Sequence, residues 1–276
     1  MIRSALMHVM TQAVTKAGRG LARDFGEVEN LQVSQKGPGD FVSQADLKAE
    51  QTLRRDLEKA RPGYSFLMEE SGSHEGTDPD HRWIVDPLDG TTNFLHGIPL
   101  FAISLGLERA GEMVAGVIFN PASGEMFVAE QGKGAFLTGT QRDRRLRVSG
   151  RRRLDECVLT MGIPHKGRGG IDEALPKLHA LMQACVGVRR TGAAAIDLAW
   201  VAAGRFDGFY ERGLSPWDIA AGLVIVREAG GFVSDTHGRD TSMRSGEVVA
   251  ANPEIHDGLI KTFKSVRETE GGVKTG

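Results

Sequence analysis

WIVDPLDGTTNF, residues 83–94, decides the reading of this chain. Trp83, Ile84 and Val85 form an apolar run that reads as a buried strand. Asp86 precedes a proline, which holds its backbone extended, so it is expected at the strand's last position. The turn that follows brings Asp89 round beside it. Two carboxylates about 4 Å apart at an effective dielectric of 20 repel by roughly 4 kcal/mol, a cost a stable fold does not normally carry without something positive between them. The stretch asks for a cation.

Acids also close two other segments. Glu69 and Glu70 follow the short strand pattern of YSFLMEESG, and Asp218 opens a helix in SPWDIAAG. Taken alone, Asp218 is explained by the helix dipole, which favours a first-turn carboxylate by about 0.3–1 kcal/mol, and the two glutamates by a solvated loop. DPLDGTT resists such explanations, because the Asp-Pro turn, the second Asp, the Gly and the Thr are each hard to account for as packing. Oxygen ligands without His or Cys suit a hard cation, and Mg²⁺ prefers to meet carboxylates together with substrate phosphate. Gly90 lets backbone approach a ligand closely, and a helix opened by TTNF would offer N–H groups to an anion. Metal beside a helix N-terminus is an arrangement for processing phosphate.

Around this centre the chain of 276 residues, 40% hydrophobic and 25% charged, has the makings of one large domain or two intimately packed halves with a substantial core. A formal net charge of -2 supplies no global field for nucleic acid or an anionic membrane. No apolar stretch approaches the roughly 20 residues that span a bilayer. Cys157 and Cys185 form no C-x-x-C pattern, and a reducing cytoplasm is the simplest setting. Leu6, Val9, Met10, Ala13, Val14 and Ala17 fall at helical spacing, so the basic N-terminal segment reads as a core-facing helix that ends near Gly26.

A second helix is expected over Asp46 to Ala60, with Leu47, Leu53 and Leu57 inward, after a glycine-rich turn, SQKGPGD. Residues 101–139 alternate as meandering antiparallel strands. After Ser149 helices near 172–184, 193–203, 217–229 and 253–266 alternate with strands near 158–161, 206–210, 231–234 and 248–251, and ETEGGVKTG reads as disordered. The architecture is a layered α/β (α+β) sandwich with a soft division near 150.

WIVDPLDGTTNF and WDIAAGLVIVREAGG, joined by MEESG and by RRTGAAAIDLAWVAAGRFDGFYERGLSPWD, resemble the signatures of the inositol monophosphatase family and of its bacterial SuhB-type branch. The resemblance runs from the first helix to the last. It implies a five-layered αβαβα fold over residues 1–276 with subdivisions 1–150 and 151–276, Mg²⁺-dependent hydrolysis of a phosphorylated polyol, lithium inhibition and a homodimer. The implied first metal site uses Glu69, Asp86 and the Leu88 carbonyl; the second uses Asp86, Asp89 and Asp218; a third, weaker one again involves Glu69. Gly90 and Thr91 would hold phosphate, Thr91 with its partner Asp46 would orient the attacking water, and Glu70 would assist. Ala194, Glu211 and Asp218 would meet the polyol. Met68 replaces the glycine that many relatives carry before the two glutamates. Fructose bisphosphatases and nucleotide or histidinol-phosphate phosphatases share the metal site, but GAAAID and ERGLSPWD favour inositol monophosphate. The arginine run between Arg142 and Arg153 is either a solvated face or a surface for transcription-complex proteins, with which SuhB-type relatives are linked.

Overall fold

The computed structural model describes residues 4–27, 33–37, 40–139, 143–164 and 169–273. The first layer is helical. α1 (Ala5–Phe25) starts at Ser4, whose hydroxyl accepts the Met7 N–H, and buries Met10, Val14 and Leu21. A hairpin of β1 (Val33–Gly37) and β2 (Asp40–Ser43) follows, where the sequence reads as a glycine-rich turn. It leads into α2 (Gln44–Ala60), which starts at a Ser43–Asp46 capping box.

Leu47 is not inward but 45% exposed. The buried face of α2 runs through Ala45, Asp46, Ala49, Glu50, Leu53 and Leu57, so two acids occupy positions that a purely apolar pattern assigns to leucine.

α1 and α2 pack on an eight-stranded sheet. Its strands are β3 (Ser65–Met68), β4 (Gly72–His74), β5 (His81–Asp89), β6 (Ala102–Arg109), β7 (Glu112–Asn120), β8 (Glu125–Glu130), β9 (Gly134–Thr138) and β10 (Arg144–Arg145), with α3 (Thr91–Leu95) between β5 and β6. The order is β10-β9-β8-β7-β6-β5-β3-β4. β5 to β10 form the antiparallel meander, whereas β3 lies parallel to β5 with Met68 opposite Val85. β5 runs past Asp86, the expected strand end: pairing with β6 resumes at Asp89, and Pro87 and Leu88 form an irregularity between the two aspartates.

The second sheet has the order β12-β11-β13-β15-β14. It contains β11 (Val158–Met161), β12 (Gly187–Arg189), β13 (Gly208–Arg212), β14 (Phe232–Ser234) and β15 (Glu247–Ala251). α5 (Ala194–Ala202) and α6 (Pro216–Glu228) fill the layer between the sheets. α4 (Ile171–Ala184) and α8 (Pro253–Val273) cover the far face, and α7 (Ser242–Ser245) is one turn before β15. The result is the αβαβα sandwich. α8 carries residues 268–273 in helix where disorder is expected, while 274–276 lie outside the described residues.

One contact fixes the central layer. β6 and β7 present Gly106 and Gly116 to α6, where a Cβ on Gly116 would stand 2.5 Å from the Ala221 carbonyl oxygen. Ser104 Oγ also donates to the Trp217 carbonyl at 3.0 Å, so the start of α6, with Asp218, is held against the first sheet. Gly116→Ala should therefore cost about 1–3 kcal/mol through overpacking and weaken stabilisation by divalent ions, because Asp218 moves with the helix. Denaturant midpoints with and without Mg²⁺ measure both effects; an unchanged midpoint would remove the close-approach argument.

Candidate active site

Parallel pairing of β3 with β5 brings their C-terminal ends to the same edge of the sheet, so Glu69 and Asp86 emerge as neighbours. The Glu69 N–H donates to the Val85 carbonyl at 3.1 Å, and the two carboxyl groups share a hydrogen bond. Asp86 Oδ1 accepts the Leu88 N–H at 2.9 Å, which tightens the turn through Pro87. Gly90 adopts φ +86°, and a Cβ there would lie 2.9 Å from the Leu100 carbonyl oxygen. From Gly90 the chain enters α3, as the TTNF reading anticipates. Across the site, the Ala195 N–H at the start of α5 donates to Asp89 Oδ2 at 2.7 Å.

The electrostatics of this cluster are one-sided. Burial first, then the charges of Glu69, Asp89 and Asp218, push the Asp86 carboxyl well above the usual carboxylate range. Asp89 is raised likewise, by burial and then by Asp218; the Ala195 N–H opposes the shift, while Glu211 and Asp197 add to it. Asp235 provides the contrast. Burial raises it too, but N–H donors from Arg239 and His237, the Thr241 hydroxyl and the Arg239 guanidinium outweigh burial and hold it at about 2. Asp235, His237 and Glu247 have potential ligand atoms within 4.8 Å of one another, yet Asp235 is filled by protein donors and Glu247 accepts from the Thr236 N–H and hydroxyl. That group closes a turn. The Glu69, Asp86, Asp89 and Asp218 group gathers negative charge around the buried Asp86, and its all-oxygen donor set fits hard divalent ions.

Asp46 and Thr91, 45 residues apart, meet here: Thr91 Oγ1 lies 3.1 Å from Asp46 Oδ1 and 3.0 Å from the Leu88 carbonyl, either of which can accept its proton. Burial raises the Asp46 carboxyl against hydrogen bonds from Ser43 and Thr91. Its other oxygen accepts the Ser43 N–H at 2.9 Å, so Asp46 both starts α2 and touches Thr91. Asp218 is similar, accepting the Ser215 N–H at 2.8 Å while its charge acts on Asp86 and Asp89. The sequence reading misses Glu50, which accepts the Glu70 N–H at 2.9 Å and anchors the turn bearing Glu69 and Glu70. Its position, one helical turn after Asp46, is the signal that identifies it.

Asn93 is a second omission. Its Nδ2 donates to the Leu100 and Thr191 carbonyls, at 2.7 and 2.9 Å, clamping the loop before α5. Ala194 opens α5 next to Ala195, and Glu211 in β13 is close enough for its charge to bear on Asp89. Met68 is fully buried beneath the site. The arginine run lies elsewhere and is partly committed within the fold. Arg151 pairs with buried Asp207 at 3.0 Å, Arg153 with Asp155, and Arg152 lies 3.8 Å from Glu254; Arg142 is outside the described residues.

Asp197, also unanticipated, is 2% exposed, and its Oδ1 meets no donor among the described residues. Burial pushes it up to about 7, against hydrogen bonds with Thr191 and Thr160 and the charge of Arg190. A carboxyl whose folded pKa lies above its unfolded value of 3.8 keeps an extra proton in the native state between those values, so its stability contribution is lost as pH rises toward 7. Asp197→Asn cannot titrate. Its stability relative to wild type should improve by about 1–3 kcal/mol from pH 5 to pH 8, as read from thermal unfolding. A difference that stays constant with pH would show that Asp197 does not titrate in the fold.

Comparison with known proteins agrees with this geometry. A profile of the Inositol monophosphatase family matches residues 3–268. The chain is 61% identical over 264 residues to an Inositol-1-monophosphatase of Mesorhizobium japonicum, covering 96% of this chain and 98% of that protein. It is 41% identical over 259 residues to the Nus factor SuhB of Escherichia coli strain K12, covering 94% and 96%. The crystal structure of the extragenic suppressor protein suhB from Bartonella henselae superimposes with a TM-score of 0.91 at 55% identity, covering 95% of this chain and 99% of that one. With both signatures folded into one acidic centre and the match running almost end to end, the chain belongs to the inositol monophosphatase family.

Proposed function

We propose that this protein is a Mg²⁺-dependent phosphatase that hydrolyses an inositol monophosphate to inositol and phosphate. The observation that carries this reading is the convergence of Glu69 and Asp86 at one sheet edge with Asp89 and Asp218 close enough for their charges to act on one another, beside the Thr91–Asp46 pair; such a group of oxygens suits divalent cations. Glu69, Asp86, the Leu88 carbonyl, Asp89 and Asp218 would hold two to three ions, and lithium would inhibit by competing there. Bound ions supply Lewis acidity toward the phosphoryl group and the attacking water.

The chain's own residues perform the remaining tasks. Gly90, whose lack of a side chain clears the approach, and Thr91 offer backbone N–H groups to phosphate. The Thr91 hydroxyl, held between Asp46 and the Leu88 carbonyl, orients the water, and Glu70 assists from the turn anchored by Glu50. Glu211, Asp218 and the backbone at Ala194 accept or donate hydrogen bonds to polyol hydroxyls.

We place the protein in the cytoplasm as a homodimer. Ile171, Leu175 and Met182 of α4 and the adjoining Val186 are exposed beside edge strand β12, and a second copy would cover them. The relatives named Nus factor SuhB favour a second role in a transcription complex. For that role the exposed Arg144, Arg145 and Arg147 are better contacts than Arg151, whose removal would strand Asp207.

Asp89→Asn should abolish Mg²⁺-dependent turnover of inositol 1-phosphate while leaving the metal-free protein at least as stable as wild type, since one repelling charge is gone. Retained turnover, or full wild-type activity in excess chelator, refutes the metal assignment. Thr91→Ala should lower kcat by about 10²-fold with KM little changed. A change confined to KM would make Thr91 a binding residue.

A further inference from the structure

α5 carries one ionisable side chain, Asp197, among Ala195, Ile196, Leu198, Ala199 and Val201, all buried in the layer between the sheets. The helix dipole favours an acid in this first turn, yet that effect is small beside the burial that pushes Asp197 up to about 7. Leucine, of similar size, would avoid the cost. A buried acid whose Oδ1 meets no donor among the described residues calls for an explanation other than packing.

The explanation lies in what the carboxyl joins. Asp197 forms hydrogen bonds with the hydroxyls of Thr160, in β11, and Thr191, in the segment between β12 and α5. Neither hydroxyl depends on it for an acceptor, since Thr160 Oγ1 also lies 3.3 Å from the Arg189 carbonyl and Thr191 Oγ1 lies 3.4 Å from that of Ala193. What Asp197 adds is a tie from one threonine to the other. The tied segment then meets the active-site turn at three places. The Thr191 carbonyl accepts Asn93 Nδ2 at 2.9 Å, Ala193 Cβ stands 3.1 Å from where a Cβ on Gly90 would be, and the Ala195 N–H donates to Asp89 Oδ2 at 2.7 Å. Ala194 lies between the last two. We propose that Asp197 is a positioning residue: by tying Thr191 to Thr160 it holds residues 191–195 where the Ala194 backbone meets the polyol. The assignment rests on the phosphatase reading. Glu211, another polyol contact, is seated separately, folded across Gly162, where a Cβ would collide with its carboxyl group.

The test compares inositol 1-phosphate with 4-nitrophenyl phosphate, which has no polyol hydroxyls, in the wild type, Asp197→Asn and Asp197→Leu. Asparagine keeps an oxygen for the threonine hydroxyls, whereas leucine keeps the volume and removes both oxygens. Disturbance at Gly90 and Asp89 moves both substrates, so the ratio of their kcat/KM values isolates Ala194. Asp197→Leu should lower the ratio of inositol to aryl phosphate by about tenfold or more, and Asp197→Asn should leave it within about threefold of wild type. A smaller fall in folded Asp197→Leu overturns the proposal and leaves Asp197 a packing residue. A fall beyond threefold in Asp197→Asn overturns it too, because charge rather than the hydrogen-bonded tie would then set the ratio. If Asp197→Leu does not fold, Thr191→Val, which cuts one end of the tie and keeps the carbonyl for Asn93, is judged by the same tenfold criterion. Absence of hydrolysis of both compounds by the wild type overturns the phosphatase reading instead. Hydrogen exchange of the Ala195 amide, followed by NMR in the Mg²⁺-loaded full chain, then decides the positioning role: exchange about tenfold faster than wild type in Asp197→Leu, or in Thr191→Val where that variant stands in, supports it, and a smaller change overturns it.

Discussion

Like charges gathered around one buried carboxyl, Asp86, are the constraint on which this molecule is built. Glu69, Asp86, Asp89 and Asp218 come from three distant stretches of chain, and each raises the cost of ionising its neighbours in a buried setting. A fold selected for stability alone would disperse them, as it satisfies Asp235 with four protein donor contacts from three residues and holds it ionised. Their convergence makes sense as a demand for cations, and the architecture serves it. A parallel strand pair in an otherwise antiparallel sheet aligns Glu69 with Asp86, and glycines on β6 and β7 let α6 approach closely enough to deliver Asp218.

Rigidity around the cluster comes from groups that do not belong to it. Asn93 ties the loop before α5 to the turn after Asp89, and the Ala195 N–H then reaches Asp89 itself. Glu50 grips the turn that carries Glu69 and Glu70. Preorganisation of this kind keeps carboxylates from relaxing away from one another, so an arriving ion finds them already gathered.

Legibility in the sequence followed the range of the interactions. The helices and the antiparallel meander follow from local periodicity, and DPLDGTT announces a crowding of carboxyls because its oddities lie within seven residues. Leu47 misleads because Asp46 and Glu50 take the inward positions of α2, which only the distant Thr91 and Glu70 explain. The support of Glu211 by Gly162 is likewise invisible, since it depends on β11 and β13 lying side by side across 49 residues. The glycine-rich segment before α2 reads as a turn because its strands pair only with each other and lack an apolar alternation to announce them.

Asp46 and Asp218 each close the first turn of a helix and also face the acidic centre. Folding and chemistry are thereby inherited together at these positions. Alanine would remove both duties and forfeit a cap worth about 1 kcal/mol, while asparagine keeps an oxygen for the cap and discards only the charge. A lineage that retained this fold for binding partners and gave up hydrolysis would therefore drift most easily through asparagine, and its helices would carry no record of the loss.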